Sequence, residues 1–409
     1  VKIGRYPLHH GGVAAIRTLG RLGVPVYAIT VDRATPAALS HYLRGRFVWP
    51  TTGDEDLEAL AEGLLDIGDR LKGRVIALPT DDEAAVLLAE HAGRLGQRFE
   101  MPDVPPALPR ALADKHTLHQ LCATHGIASP ASHRPESVDD LLEASARIGY
   151  PVVLKNSEAW ARLRQPAVSS TTVVGSEREM RSLTAAWTTM PHVLVQELLP
   201  GDAGSVDWIA DVYCGPATDL VFTGVKVRSW PPGAGTMTRG FARANGELAE
   251  MTRTFCRAVG FRGLGDLDWR LDPADGRYRL LDFNPRVGAQ FRLFETGSGV
   301  DVVRAMHLDL TGRPIPSGRQ VEGRGLRVEN LDIPALWADR HRRPGGRRRR
   351  VIPRGTTELA WLAVDDPLPA AAAAIRSGAP AAAMLARRLR RRAGPPAGPH
   401  TATPAGSGR

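Results

Sequence analysis

Apolar residues in the first hundred positions fall into two alternating patterns. Short continuous runs at 24–30 and 74–80 read as buried strands, and between and before them the spacing at 13–22 is that of a helix with one apolar face. Strands alternating with helices predict an open α/β unit with a parallel sheet over residues 1–108. Gly11-Gly12 opens the first helix and reads as close helix-strand packing, since it lacks the spacing of a dinucleotide fingerprint. The second run closes on Thr80-Asp81-Asp82-Glu83. Thr80 and Glu83 have the spacing of a capping box, and an acidic cluster at a strand end also stands where open α/β sheets meet ligands. Further strand runs lie at 150–155, ending in Lys155, and at 193–201, ending in a turn.

The clearest alternation is at 263–286, GLGDLDWRLDPADGRYRLLDFNPR, where two strand-like runs flank the turn residues Asp272-Pro273-Ala274-Asp275-Gly276. A hairpin symmetric about Asp275 sets Asp268 opposite Asp282, with Asn284 on the same face. Like charges directly opposite are destabilising, and a cation between them relieves the conflict. Two carboxylates and an amide oxygen are hard ligands of the kind Mg²⁺ takes when it also holds phosphate oxygens. A solvated acidic face gives the same pattern.

Lysine usage adds a second signal. Of 53 basic residues only Lys2, Lys72, Lys115, Lys155 and Lys226 are lysine. Where arginine does nearly every cationic task, a retained lysine suggests a place that needs a compact ammonium charge.

Together these residues resemble the ATP-grasp superfamily, the fold of carboxylate-amine ligases. GFRGLGDLDWRL followed by LLDFNPR resembles its metal-binding end, with Asp268, Asp282 and Asn284 as the implied ligands of two Mg²⁺ ions, or Mn²⁺ in their place, and Arg286 as the arginine on the transferred phosphoryl group or acyl phosphate. Position 282 more often carries Glu in that family. ADKHTLHQLCATHGIASP around Lys115, the strand ending in Lys155, and GVKVRSWPPGAGTM around Lys226 resemble its phosphate-binding segments, with Arg228 beside the last as a second catalytic arginine. VLVQELLPG resembles its hinge strand, so Gln196, Glu197 and the backbone of Leu198 are implied on adenine, and Asp202, Ser205 or Asp207 on ribose. The stretch matching the phosphate-covering loop, 156–172, has no glycine, and Ser169 and Ser170 are its candidate donors.

The resemblance implies an α/β and α+β chain: a pre-ATP-grasp α/β domain at 1–108, a lid subdomain at 109–190, a metal and nucleotide subdomain at 191–335, a C-terminal extension at 336–369 and a basic tail at 370–409. It implies ATP and Mg²⁺ as cofactors, a small-molecule carboxylate and an amine as substrates, and amide formation through an acyl phosphate. An ATP-binding protein that does not ligate, associating through its tail, is the alternative.

Composition sets the remaining bounds. A chain of 409 residues, 43% hydrophobic, can bury the core of two or three domains. Cys122, Cys214 and Cys256 are odd in number and lack zinc spacing, which predicts buried thiols in a reducing compartment, and no signal pattern or spanning run is present, so a cytoplasmic location is expected. A Walker-A sequence is absent, which disfavours P-loop chemistry. The net charge of +9 points at first to nucleic acid, but fifteen arginines against three acids at 340–409 place an excess of twelve positive charges there, leaving the remainder mildly acidic. Nucleic acid is therefore not the expected partner. The basic stretch 381–392 has the pattern of an amphipathic helix suited to peripheral membrane contact, the end of the chain reads as disordered, and a homodimer is the default assembly.

Overall fold

The computed structural model describes residues 1–4, 6–51, 55–157, 168, 171–199, 205–231, 235–342 and 355–378, with backbone alone at 339–342. The loop donors Ser169 and Ser170, the ribose candidate Asp202 and the basic stretch 381–392 lie outside these residues.

The first part of the chain runs α1 (His10–Gly20), β1 (Val26–Thr30), β2 (Leu43–Val48), α2 (Leu57–Asp69), β3 (Val75–Ile76), α3 (Asp82–Glu90), α4 (Ala92–Leu95) and β4 (Phe99–Glu100). The single open sheet expected here is two parallel pairs, β1 with β2 and β3 with β4. Just past β3 the chain hydrogen-bonds to its own start: the Val1 amino group donates to Leu78 O at 2.6 Å and Thr80 N to Val1 O at 3.0 Å. The cap of α3 is Asp81 rather than Thr80. Its Oδ1 accepts from Ala84 N while Oδ2 accepts from Ile3 N and Gly4 N, a double duty that suits an acceptor with two oxygens.

Next come α5 (Leu108–Ala113), α6 (Lys115–Thr124), β5 (Ser132–His133), α7 (Val138–Ile148), β6 (Val152–Asn156), β7 (Thr172–Val174), α8 (Glu177–Thr184) and β8 (Val193–Glu197). The strands form one antiparallel sheet in the order β5-β8-β6-β7. Its core sets Val152, Leu154 and Val195 against Leu141, Ala144 and Met180 of the two amphipathic helices. Apolar burial of this kind, about 25 cal/mol per Å², is what holds so small a sheet together.

The remaining elements are β9 (Val206–Cys214), β10 (Asp219–Trp230), β11 (Thr236–Ala242), α9 (Gly246–Ala258), β12 (Gly263–Leu271), β13 (Tyr278–Asn284), α10 (Val302–Leu310), β14 (Gly325–Arg327), α11 (Glu329–Arg342), β15 (Thr357–Leu359) and a last helix at 368–378. Seven strands form one sheet in the order β13-β12-β9-β10-β11-β14-β15. One face buries Trp208, Ala210, Val212, Leu267, Trp269 and Phe283 in a single cluster. The opposite face is partly apolar, with Ile209, Tyr213 and Leu264 in a second cluster. The C-terminal segment returns across the molecule to α1, where buried Arg17 donates to Asp366 Oδ2 at 2.9 Å and to the carbonyls of Trp361 and Asp366. The three cysteines are buried and free of disulfides, as expected, and no helix among the described residues is long and apolar enough to cross a membrane.

Candidate active site

Period-two alternation decides which side chains of the seven-stranded sheet face the cavity. Leu267 and Trp269 are committed to the core, so Asp266, Asp268 and Arg270 of β12 project from the other face. The register pairs Asp268 with Asp282 and Asp266 with Asn284. The expected pairing of 268 with 282 is therefore present, and 266–268 keep the symmetry about Asp275, while the pairs next to the bend are shifted by one residue. Trp269 pairs with Leu280, so Leu281 is one extra residue on β13, and this bulge brings the two carboxylates into line. Leu281 itself lines the cavity.

The cavity encloses about 470 Å³ between the two sheets and the first part of the chain. Lys115, Lys155 and Lys226 line it with Asp268, Asp282 and Asn284. Lys115, the first residue of α6, meets Asp282; Lys226 Nζ stands 2.6 Å from Asp268 Oδ1. Burial alone would raise the Asp282 pKa, and Lys115 and Lys155 more than offset it, leaving the carboxyl below its ordinary value. Burial lowers Lys155 to about 8, with Asp282 opposing. For Lys226 burial is outweighed by Asp268, so its pKa rises. Each carboxylate thus already carries a cation.

Among the described residues no three His, Cys, Asp or Glu side chains converge into a metal cage. Mg²⁺ is commonly held by one or two carboxylates together with substrate phosphates rather than by an all-protein shell. Asp268, Asp282 and the amide oxygen of Asn284 are oxygen donors on one face, and the lysine ammoniums on the two carboxylates mark where positive charge is accommodated. The donor set fits the ion.

Arg286 follows the hairpin. Its Nε lies 3.2 Å from Asp82 Oδ1, its Nη1 lies 3.3 Å from Asp266 Oδ2, and Nη1 donates to Val287 O at 2.9 Å. Gln290 Nε2 donates to the other oxygen of Asp266 at 2.7 Å. Beneath them Asp211, paired in register with Asp266, is fully buried. Burial and the neighbouring Asp266 push its pKa well above the carboxylate range, and burial with Asp268 raises Asp266 to about 6. Gly288 is required here, since a Cβ would stand 2.6 Å from Asp211 Oδ1. Gly11 has a related cause, because its Cβ would fall 2.9 Å from Ala289 Cα; the close approach is to this loop and not to a strand. Asp266 shares the alternation of Asp268, the signal that could have found it. In sequence Asp82 reads only as part of a cap or ligand cluster, and its partner 204 positions away is set by tertiary packing.

At the other end, Gln196, Glu197 and Leu198 line the cavity as β8 leaves the smaller sheet. The Glu197 carboxylate also accepts from Ala131 N at 3.1 Å, which anchors the strand end. Of the ribose candidates, Asp207 lines the cavity and pairs with Arg270 Nε at 2.6 Å, whereas Ser205 is buried and is not part of the lining.

Arg228 departs from expectation. Simple alternation puts it on the face of Lys226, but the register of β10 slips on both sides of residue 228. Ser229 therefore lines the cavity in its place, and Arg228 Nη1 pairs with the buried Asp332 of α11 at 2.6 Å. It is a structural link between sheet and helix.

No family model matches the chain. A D-aspartate ligase of Enterococcus faecium is 21% identical over 245 residues, 56% of this chain and 57% of its own length. Among solved structures, N5-carboxyaminoimidazole synthetase from Staphylococcus aureus matches with a TM-score of 0.61 at 13% identity, covering 84% of this chain and 85% of that one, and its ADP complex matches at 0.57. An L-amino acid ligase from Bacillus licheniformis matches at 0.56 with 15% identity, over 78% of this chain and 74% of that one. Likeness at this level of identity fixes the fold.

Proposed function

For this chain, which has the ATP-grasp fold, we propose the activity of an ATP-dependent carboxylate-amine ligase. One observation carries the reading: two lysine ammoniums stand on two register-paired carboxylates in a single cavity, with a third lysine and Arg286 on the same wall. That arrangement matches the charge pattern of a triphosphate with its cations. Asp268, Asp282 and Asn284 would hold Mg²⁺, which supplies charge neutralisation to the phosphates. Lys115, Lys155 and Lys226 bind phosphate oxygens, and Gln196, Glu197 and the Leu198 backbone bind adenine. A substrate carboxylate oxygen then attacks the γ-phosphorus and ADP leaves. Arg286 holds the acyl phosphate, two of whose phosphoryl oxygens suit a bidentate guanidinium fork. The amine nitrogen attacks the acyl carbon, the carbon-oxygen bond to phosphate breaks, and the nitrogen loses a proton to give the amide. No serine, cysteine or histidine nucleophile is needed. The relatives support this reading, since two of them are named as ligases of amino acids.

The test is a screen of carboxylic acids crossed with amines, read by ADP release and by product mass. ADP formed only with a particular acid, and a new mass only with acid and amine together, is the expected result. ATP binding without ADP release across the panel would favour the non-ligating alternative.

A further inference from the structure

Arg286 is built into the seam between the first part of the chain and the metal-binding hairpin. The loop it opens is wedged there: Val287 N donates to Pro79 O at 3.4 Å, and the α1 N-terminus is packed so tightly on Gly288 and Ala289 that Gly11 cannot carry a side chain without displacing them. The guanidinium itself lies between two buried carboxylates that come from different units, Asp82 at the start of α3 and Asp266 on β12. Both carboxylates border the cavity. An arginine ion-paired with one buried carboxylate and hydrogen-bonded to another on the far side is restrained in orientation, because its charge and its rigid fork of donors are both engaged. Gln290 and the packing beneath Gly288 fix Asp266 in turn.

We propose that Asp82 is a positioning residue for Arg286, so that the first part of the chain sets the orientation of the arginine that holds the acyl phosphate. This rests on the ligase reading and adds to it a residue outside the hairpin and the phosphate lysines. Its consequence is chemical. An acyl phosphate has two fates: attack by the amine, which breaks the carbon-oxygen bond and yields amide and phosphate, or attack by water, which breaks it to return the acid with phosphate. Holding the acyl phosphate in line with the amine favours the first, and loss of that alignment releases ADP without amide.

The experiment measures amide formed per ADP released, with kcat and KM for ATP, for the full chain and for Asp82→Asn, Asp82→Glu and Arg286→Lys, each checked for folding by its melting temperature. Asp82→Asn keeps the shape of the side chain and removes its charge. We expect it to lower the amide-to-ADP ratio in the same direction as Arg286→Lys, with kcat for amide reduced on the order of 10- to 100-fold and KM for ATP nearly unchanged, and Asp82→Glu to restore part of the ratio. If Arg286→Lys uncouples and Asp82→Asn does not, the inference falls while the ligase reading stands. A lowered melting temperature with full coupling would make Asp82 merely structural and overturn it equally. Should Arg286→Lys itself leave coupling intact, the assigned role of Arg286 fails, and the inference with it.

Discussion

Lys115 and Lys226 meet Asp282 and Asp268 on the wall of a cavity, whereas Arg17 meets Asp366 in the interior behind it, where the C-terminal segment is clamped to α1. In both places a cation sits on a carboxylate, yet the surroundings differ. Arg17 is 3% exposed and its guanidinium also satisfies backbone carbonyls of Trp361 and Asp366, so removing either partner strands a charge without water. On the cavity wall an ammonium can turn to another acceptor, and its carboxylate can take another cation, without leaving the solvent-accessible space. Ion pairs of the second kind are exchangeable, and this is what separates a binding surface from a clamp.

Breaking the cavity pairs should have the largest effect on activity and a small one on stability. Asp282→Ala and Lys155→Ala are each expected to cut acid-dependent ADP release by at least about 10²–10³-fold while the urea midpoint hardly moves; full turnover in either variant would remove that residue's role. Arg17→Ala should do the converse, costing about 3–5 kcal/mol in urea unfolding. A loss of stability in Asp282→Ala as great as in Arg17→Ala would erase the distinction.

His10 lies between the two regions, its ring set edge-on to Trp361 at 5.8 Å and its side chain bordering the cavity. Burial, and after it the Arg286 charge, lowers its pKa to about 4. In the window from about 6.5 down to about 4 the unfolded chain takes up a proton that the folded one refuses, so stability falls as pH falls, by about 3 kcal/mol in all. Unfolding free energy measured across that window should therefore slope less in His10→Phe than in the parent; parallel slopes would show that His10 is not the group responsible. At the small end, Arg21 bonds Asp365 at 2.8 Å on the surface, and Arg21→Ala should cost no more than about 1 kcal/mol, chemistry like that of Arg17 without the burial.

Much of this site was legible in the sequence because β alternation is a strict code. Once Leu267, Trp269 and Phe283 are assigned to the core, Asp268, Asp282 and Asn284 must face the other way. The same code includes Asp266, whose role the opposed pair Asp268 and Asp282 does not reveal by itself. Arg228 misled for the opposite reason: a slip in the β10 register breaks the alternation, and no composition signal marks it. The clamp on Arg286 was beyond a local reading, since Asp82 and Arg286 are distant in sequence and meet only when the first part of the chain docks. The α/β character of 1–108 was legible from its apolar runs, but the division of its strands into two parallel pairs, with Val1 bonded at Leu78 and Thr80, was not.

The extra residue Leu281 separates the hairpin into two zones with independent alignment. Toward the bend, strands meet as Leu271 with Tyr278; toward the ligands, as Asp268 with Asp282. Trimming or lengthening the bend at 272–277 is work for the first zone alone, while deleting Leu281 would rotate Asp282 and Asn284 against their partners. Changes to the bend must keep buried Asp272, which Arg279 holds, whereas the alignment of the ligand pairs depends on this one leucine staying in the count.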